Sequence, residues 1–417
     1  MNEPKLRFKA DDGSQFPDWE EKKIGDITLS HNAGVYIAKD NYGTGTNIIG
    51  VGDIYESDVI NGKQYRLAPV DSDEYILDEG DLVYGESSLV PEGIARTVCI
   101  SAAGKGTAFA WHTRRYKVDR TIINPYFLTL QVNYAKRVRN HLMRVCTRNA
   151  LTGMTTNEYF GTKVSVPCLP EQQKIADFLS TIDTVIEKQK ETVSAWEERK
   201  KGVMQKLFSQ EVKFKADDGS EFPEWEEKKL GDVADFFNGD RSARYPKEPD
   251  FVKYGVAFLN TENLHNTIVD ISEKCKYITY EKYCELSGAK IQLLDIIYCL
   301  RGSVGLCSLN TILEEGTVAS SLMVIRAVDG IIDPIYLYNS LNSDFVLGQL
   351  YQCLNGSCAG NLSAKDMAMF KIKCPCLAEQ QKIADCLSSL DDVIAKQKAT
   401  LAAWEELKKG LLQQMFV

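Results

Sequence analysis

Arg96, Lys105, Arg114, Arg115, Lys117, Arg120, Lys136, Arg137, Arg139, Arg144 and Arg148 are the residues whose type and spacing most readily do chemistry, and Trp111, Tyr116, Tyr126 and Tyr134 are interleaved with them. Lysine and arginine neutralise phosphates, and arginine forks match base edges, so such a face suits contact with a nucleic acid. Residues 27–92 carry 12 acids and 3 bases, whereas residues 93–168 carry 12 bases and 2 acids. The competing expectation is therefore that the two halves neutralise each other inside one domain. Farther along, Arg241, Arg244, Lys247 and Lys253 cluster, but 13 bases face 16 acids between 233 and 376 and the signal there is weak.

Catalytic patterns fail in turn. Asn124-Pro125-Tyr126-Phe127 is superficially similar to a motif that holds a base's amino group beside a methyl donor, yet it lacks the second proline. Asp333-Pro334-Ile335-Tyr336 stands at the corresponding place farther on, and Asn or Asp followed by Pro is a helix N-cap and first-turn pair. Gly104-Lys105-Gly106-Thr107 lacks the upstream glycine and the following Ser or Thr of a phosphate-binding loop. The twelve cysteines are scattered, the one tight pair being Cys374 and Cys376, and read as buried thiols. Only four histidines are present, His31, His112, His141 and His265, so no metal site is expected. No catalytic residue is assigned.

The elements that must position these side chains are written twice. FKADDGSQFPDWEEKKIGD, residues 8–26, returns as FKADDGSEFPEWEEKKLGD, residues 214–232, with three differences. Residues 169–208 return as residues 377–416 with 26 identities in 40. These frames enclose segments of about 140 residues that share little else, so one scaffold carries two different contents. Ile175, Leu179, Ile182, Ile186, Gln189, Val193, Trp196, Lys200, Val203 and Leu207 alternate spacings of four and three, as do Ile383, Leu387, Leu390, Ile394, Gln397, Leu401, Trp404, Lys408, Leu411 and Met415. That is a heptad seam, uninterrupted by proline, on helices of about 60 Å. Phe178, Val185, Cys386, Val393 and Leu407 widen the apolar stripe beyond what two helices cover, which points to a further partner or to packing of the helices on their own globular segments. Antiparallel pairing about a pseudo-two-fold axis would oppose Gln189 and Gln397, whose amides could set the register. Gly202 and Gly410 interrupt the last turns of both copies, through fraying or close packing.

The expected class is α+β: two globular domains separated by two long antiparallel coiled-coil helices with a pseudo-two-fold internal repeat. The expected boundaries are a frame segment at 1–26, a diverged domain at 27–168, a long helix and connector at 169–213, the repeated frame at 214–232, a second diverged domain at 233–376 and the second helix at 377–417. The 417 residues, net charge of −9 and pI near 5.3 suit a soluble chain of two or three domains rather than a generic polyanion binder. With no apolar run of about 18 residues and no apolar core in MNEPKLRFKADDG, a cytoplasmic location is expected.

The junctions KVSVPCLPEQQKIADFL and KIKCPCLAEQQKIADCL, the loop from Gly356 to Ser363, and the runs GDLVYGESS and LDIIYCLRGS, set within the two-fold repeat, resemble the specificity (S) subunit of type I restriction-modification enzymes. The similarity spans essentially the whole chain. It implies that each diverged segment is a target-recognition domain reading one half of a split site in double-stranded DNA. It also implies that the helices set the gap and dock methyltransferase (modification) subunits, with restriction/translocase subunits completing the complex. Catalysis would then lie on those partners, which would hold S-adenosylmethionine, ATP and Mg, with no cofactor on this chain. Arg301 and Ser303 join the DNA-binding candidates through the last run. Ile175, Phe178, Leu179, Ile182, Ile186, Gln189, Trp196, Ile383, Leu387, Leu390, Ile394, Gln397 and Trp404 become the helix-pair and docking candidates. The loop from Arg148 to Thr155 departs from the Gly-Ser-rich pattern of its counterpart, which weakens its assignment. The alternative is a non-catalytic coiled-coil interaction protein whose duplicated domains bind proteins or sugars.

Overall fold

The computed structural model describes residues 4–148, 151–265, 267–272, 274–356 and 361–416. The chain divides into two compact units, Met1–Lys190 with Ala399–Val417, and Glu191–Lys398, so both long helices contribute to both units. In the first unit a five-stranded sheet runs Thr28–Ala33, Thr113–Val118, Leu82–Gly85, Thr97–Ile100, Val59–Ile60. Its pairs are antiparallel except the last. The second unit repeats the order as Ala234–Asn238, Leu322–Ala327, Ile296–Cys299, Cys307–Leu309, with a parallel bridge from Ile268 to Leu309 standing where the fifth strand lies in the first. Leu82–Gly85 and Ile296–Cys299 are buried at every position, as expected for central strands covered on both faces. Helices Pro125–Tyr134 and Pro334–Leu341 cover one face of these sheets. Asn124 and Asp333 are their N-caps, accepting from the Phe127 and Tyr336 amides at 3.0 and 2.8 Å, which is the role the Asn/Asp-Pro pairs suggest.

The near-identity of the frames has a structural cause. Glu20–Lys23 pairs antiparallel with Lys163–Val166, and Glu226–Lys229 with Lys371–Cys374. Within EQQK, Glu171 and Glu379 accept from the Trp19 and Trp225 indoles at 3.1 and 2.9 Å. Gln172 and Gln380 each accept from the backbone N–H of the residue capping the covering helix, both at 2.7 Å. Lys174 and Lys382 donate to the Lys9 and Lys215 carbonyls, both at 2.8 Å. Three of these four side chains thus tie strand, loop and covering helix together in both units, and their spacing tolerates little change.

One position breaks this symmetry. Arg7 grips Glu171 through Nε and Nη2 at 3.0 and 2.8 Å, whereas its counterpart Lys213 lies 3.6 Å from Glu224. Glu379 is 2% exposed, and burial raises its carboxyl above the ordinary 4.5, only partly opposed by Trp225 and Lys213. The folded state then binds that proton more tightly than the unfolded state, so the second unit loses stability as pH rises from 4.5 through the raised value. Glu379→Gln keeps an acceptor for Trp225 and is expected to raise the melting temperature near neutral pH, the gain fading below about pH 4. Glu171→Gln strands Arg7 and is expected to cost about 3 kcal/mol. Thermal melts of both variants across pH check this, and a shift of the same sign near neutrality would refute it.

Leu169–Phe208 and Leu377–Met415 are continuous helices of 40 and 39 residues. In the first unit, Ile175, Leu179, Ile182 and Ile186 share a core with Leu412, Met415 and Phe416, against which Leu401, Trp404 and Leu411 pack. In the second, Leu207 and Phe208 share a core with Ile383 and Leu387. Glu197 pairs with Lys398 at 2.7 Å and Asp391 with Lys200 at 2.6 Å, so one chain number rises as the other falls and the helices are antiparallel. Each unit is closed by the end of the other repeat's helix. The α+β class and the antiparallel helices read from the repeat are the observed fold.

Among the polar seam positions, Lys200 pairs with Asp391 in the second unit and Lys408 with Asp183 in the first. Gln189 belongs to the first unit and Gln397 to the second. Both helices run through Gly202 and Gly410, and a Cβ at either would meet no atom within 4 Å. Gly202→Ala and Gly410→Ala are therefore each expected to stabilise by about 0.5–1 kcal/mol in denaturant titrations, and a loss would mean the glycines answer a contact made elsewhere. Cysteines 99, 146, 275, 299, 307 and 374 are buried free thiols, but Cys284 is exposed. Cys353 is disulfide-bonded, which corrects the reading of all twelve as thiols.

Candidate nucleic-acid interface

The strand Thr113–Val118 carries three of the candidate cations, and the fold turns them toward the acidic half of their own domain. Arg114 meets Glu86 at 2.6 Å, and Lys117 meets Asp78 at 3.2 Å and Asp81 at 3.7 Å. Arg115 donates to Asn32 at 2.9 Å and to the Ile76 carbonyl at 3.0 Å. Lys105 lies 3.5 Å from Asp78, and Arg120 donates to the Glu79 carbonyl. Arg96 is drawn into a buried cluster on Asp58, which is 4% exposed and accepts from Arg96 at 3.0 Å, Asn133 at 2.9 Å, Tyr134 at 2.8 Å and Lys408 at 3.2 Å. Much of the sequence's charge split is thus neutralised internally. Arg139 donates to the Glu92 carbonyl at 2.8 Å, while its other terminal nitrogen is buried without a partner. Lys136, Arg137, Arg144 and Arg148 stay exposed on or just after the helix Lys136–Val145.

A second set of groups is gathered by backbone bonds that recur in both units. Gly34 presses on the Ala110 carbonyl and Gly239 on that of Ala319, so close that a Cβ would lie 2.1 and 2.2 Å from the oxygen. The Glu86 amide donates to the His112 carbonyl at 2.8 Å, and the Met154 amide to the Glu86 carbonyl at 2.9 Å. Their counterparts are Leu300 to Ser321 at 2.9 Å and Leu362 to Leu300 at 3.2 Å. Three distant segments are fixed side by side in the same way, yet the side chains on the resulting edge differ. The first unit shows Tyr36, 67% exposed, edge-on to Trp111, which stacks on His112 at 4.4 Å, and Leu89, 87% exposed. His112 holds a φ of 68°, a left-handed conformation costly for a residue with a Cβ. The second unit shows Arg241, which donates to the Ser320 carbonyl at 3.3 Å, and exposed Arg301 and Ser303.

Behind Arg241 lies a cavity of about 580 Å³ lined by Asp240, Lys290 and Arg326 among others. Burial would raise the Asp240 carboxyl, but hydrogen bonds from Ser242 and Ser287 hold it well below the usual carboxylate range. It fixes the loop as an anion. Arg244 donates to the Glu285 carbonyl at 3.2 Å, and Lys247 is exposed. Asn149 and Ala150 in one quoted loop, and residues 357–360 in the other, lie outside the described residues. Sequence reasoning missed Tyr36, His112 and Leu89, since only the backbone pairing shows that they share an edge; Gly34 and Gly239 were the one available signal.

The docking candidates divide by burial. Ile175, Leu179, Ile182, Ile186, Ile383, Leu387 and Ile394 are buried, and Leu390, Trp196, Trp404, Gln189 and Gln397 are half-buried. Phe178 remains 38% exposed, edge-on to Phe8, and Leu407 48% exposed, so part of the wide apolar stripe stays uncovered. Among the described residues, no three His, Cys, Asp or Glu side chains are grouped to hold a metal ion, and no helix is long and apolar enough to cross a membrane.

One α+β scaffold built twice, with two edges that offer different side chains on matching backbone, defines a two-part recognition protein. The chain belongs to the type I restriction modification DNA specificity domain family, which it matches over residues 17–194 and again over 223–403. It carries two target-recognition domains in tandem and is a specificity subunit of that system. It is 22% identical over 421 residues to the putative type I restriction enzyme MjaX specificity subunit of Methanocaldococcus jannaschii, covering 97% of this chain and 94% of the relative. The MjaVIII specificity subunit of the same organism is 23% identical over 425 residues, with the same coverage. In fold it is similar to the S subunit of a type I restriction-modification system from M. genitalium, at 14% identity, a TM-score of 0.59, and 100% and 99% coverage of the two chains. A type I R-M chain solved for complex assembly and conformational transition gives a TM-score of 0.52 at 16% identity, covering 96% of this chain and 98% of that one.

Proposed function

We propose that each target-recognition domain reads one half of a bipartite site in double-stranded DNA and that the paired helices set the gap between the halves. The observation that carries this reading is the recurrent edge: equivalent backbone bonds join Glu86 to His112 in one unit and Leu300 to Ser321 in the other, with exposed Tyr36 and Trp111 in the first and exposed Arg241, Arg301 and Ser303 in the second. A fixed frame presenting different side chains is what reading two different short sequences requires, because base edges are discriminated by side-chain chemistry while position is set by the scaffold. The uncovered apolar strip at Phe178 and Leu407 supports docking of methyltransferase (modification) subunits, with restriction/translocase subunits completing the assembly. S-adenosylmethionine, ATP and Mg belong to those partners, which flip out and modify an adenine in each half-site, in the cytoplasm.

Co-expression with the methyltransferase encoded beside this chain, in a host free of DNA methylation, tests the reading. Mapping modified bases is expected to yield a split motif methylated in both halves and absent without this chain. An intact complex that leaves no motif would overturn it.

A further inference from the structure

In the first unit the helix Lys136–Val145 buries Val138 and Leu142 and turns Lys136, Arg137, Asn140, His141 and Arg144 outward at positions one helical face shares. That face walls a cleft of about 1100 Å³ whose other side brings Lys5, Lys163 and the end of the second long helix. Glu21 answers two of its cations, Arg137 and Lys163, which leaves the cleft positive overall. The repeat places a cleft at the same point of the second unit, where Gln205 and Phe208 stand for Gln413 and Phe416, and Lys373 for Ser165. It is smaller, about 230 Å³, and its helix contributes Asp344 and Phe345. Two copies of one fold therefore carry the same recess with different charge, so the cations are not a requirement of the scaffold.

The row of cations also leads somewhere. Past Arg144 the chain enters Thr147–Arg148, which pairs with Thr152–Gly153, which in turn pairs with Ser87–Ser88 at the reading edge. Lys136, Arg137, Arg144 and Arg148 thus mark a path from the cleft to that edge. A polyanion that runs straight past a reading edge fits such a path better than a short acidic peptide, which needs only one end of it.

We propose that this cleft is a seat for the sugar-phosphate backbone of duplex DNA, supplying sequence-independent grip beside the first half-site, and that the neutral recess of the second unit is not one. The inference rests on the DNA-reading function and adds an asymmetry to it: the first unit positions the duplex largely by phosphate contact. Phosphate contacts release counterions, so each cation lost lowers the slope of log affinity against log salt by about 0.9.

The test uses the full chain with its methyltransferase subunits and a duplex bearing the mapped motif, titrated at salt between about 50 and 200 mM. Lys136→Ala with Arg137→Ala and Arg144→Ala is expected to lower the slope by roughly 2.7, so that a fourfold rise in salt costs the variant about 40-fold less affinity than it costs the wild type. The methylated motif should stay the same. Arg144→Ala alone should lower the slope by about 0.9, which guards against a fault peculiar to the triple variant. Unchanged slopes would overturn the proposal. So would loss of the methyltransferase subunits from the purified triple variant, which would make the cleft a dock for an acidic protein segment. A wild-type complex that fails to select the duplex would overturn the DNA-reading function itself, and is seen before any variant is made.

Discussion

Lys408→Met destabilises the first unit by an expected 3 kcal/mol or so, while Lys200→Met at the equivalent position of the second costs less than about 1 kcal/mol. Both lysines lie in the heptad seam, 208 residues apart, and both meet an aspartate of the opposing helix, Asp183 at 2.6 Å and Asp391 at 2.6 Å. Their surroundings differ. Asp391 is 43% exposed, so water and salt screen its pair. Lys408 also reaches Asp58, which is 4% exposed, and Asp183 accepts in addition from the Tyr126 hydroxyl. Removing the ammonium leaves Asp58, 4% exposed, and Asp183, 28% exposed, with one counter-charge, Arg96, and a carboxylate stranded as deep as Asp58 is costly.

Burial alone would lower the Lys408 ammonium, yet Asp58 and Asp183 hold it above its ordinary 10.5. The stabilisation is fully present below the unfolded value and is lost as pH rises through the higher folded one, so it persists at every pH near neutrality. Denaturant unfolding of the two variants separates the cases. Equal losses would mean that the Asp58 cluster adds nothing.

Exchange of residues 27–168 for the segment of a relative with a different target is expected to replace one half of the methylated motif and leave the other half unchanged. All of the first reading edge, Tyr36, Leu89, Trp111 and His112, lies inside the exchanged segment, and all of the second lies outside it. A change in both halves would refute modular reading.

The exchange carries a condition that follows from Asp58. It lies inside the exchanged segment, whereas Lys408 lies on the helix that remains. At the same strand position the second unit has Thr267, whose carbonyl accepts from Leu309 as that of Asp58 does from Cys99, both at 2.9 Å. Donor segments that place an acid there should fold against Lys408 directly. Donors with a neutral residue leave Lys408 on Asp183 alone, the arrangement that Lys200 and Asp391 have in the second unit, and should fold with less stability, Lys408→Met then costing them no more than about 1 kcal/mol. Expression and unfolding of matched chimaeras with and without that change check the point, and an indifferent result would remove Lys408 from the rules of exchange.

The sequence alone determined what depends on local pattern or on comparison of the chain with itself. The duplicated frames, the uninterrupted heptads, the Asn124 and Asp333 caps and the family likeness are all readable because helix periodicity and capping act over three to seven residues, and because EQQK needs fixed spacing to hold strand, loop and cap at once. Tertiary structure decided the rest. Nothing local announces that Arg114 will be answered by Glu86, 28 residues away, or that Lys408 will find Asp58 at a separation of 350, so exposed and neutralised cations look alike in the sequence. Nor does any local signal bring Tyr36, Leu89 and Trp111 to one edge or make each repeat's helix close the other repeat's core. Those arrangements are chosen by burial and pairing between segments far apart in the chain, where a position acquires its meaning only from what folds against it.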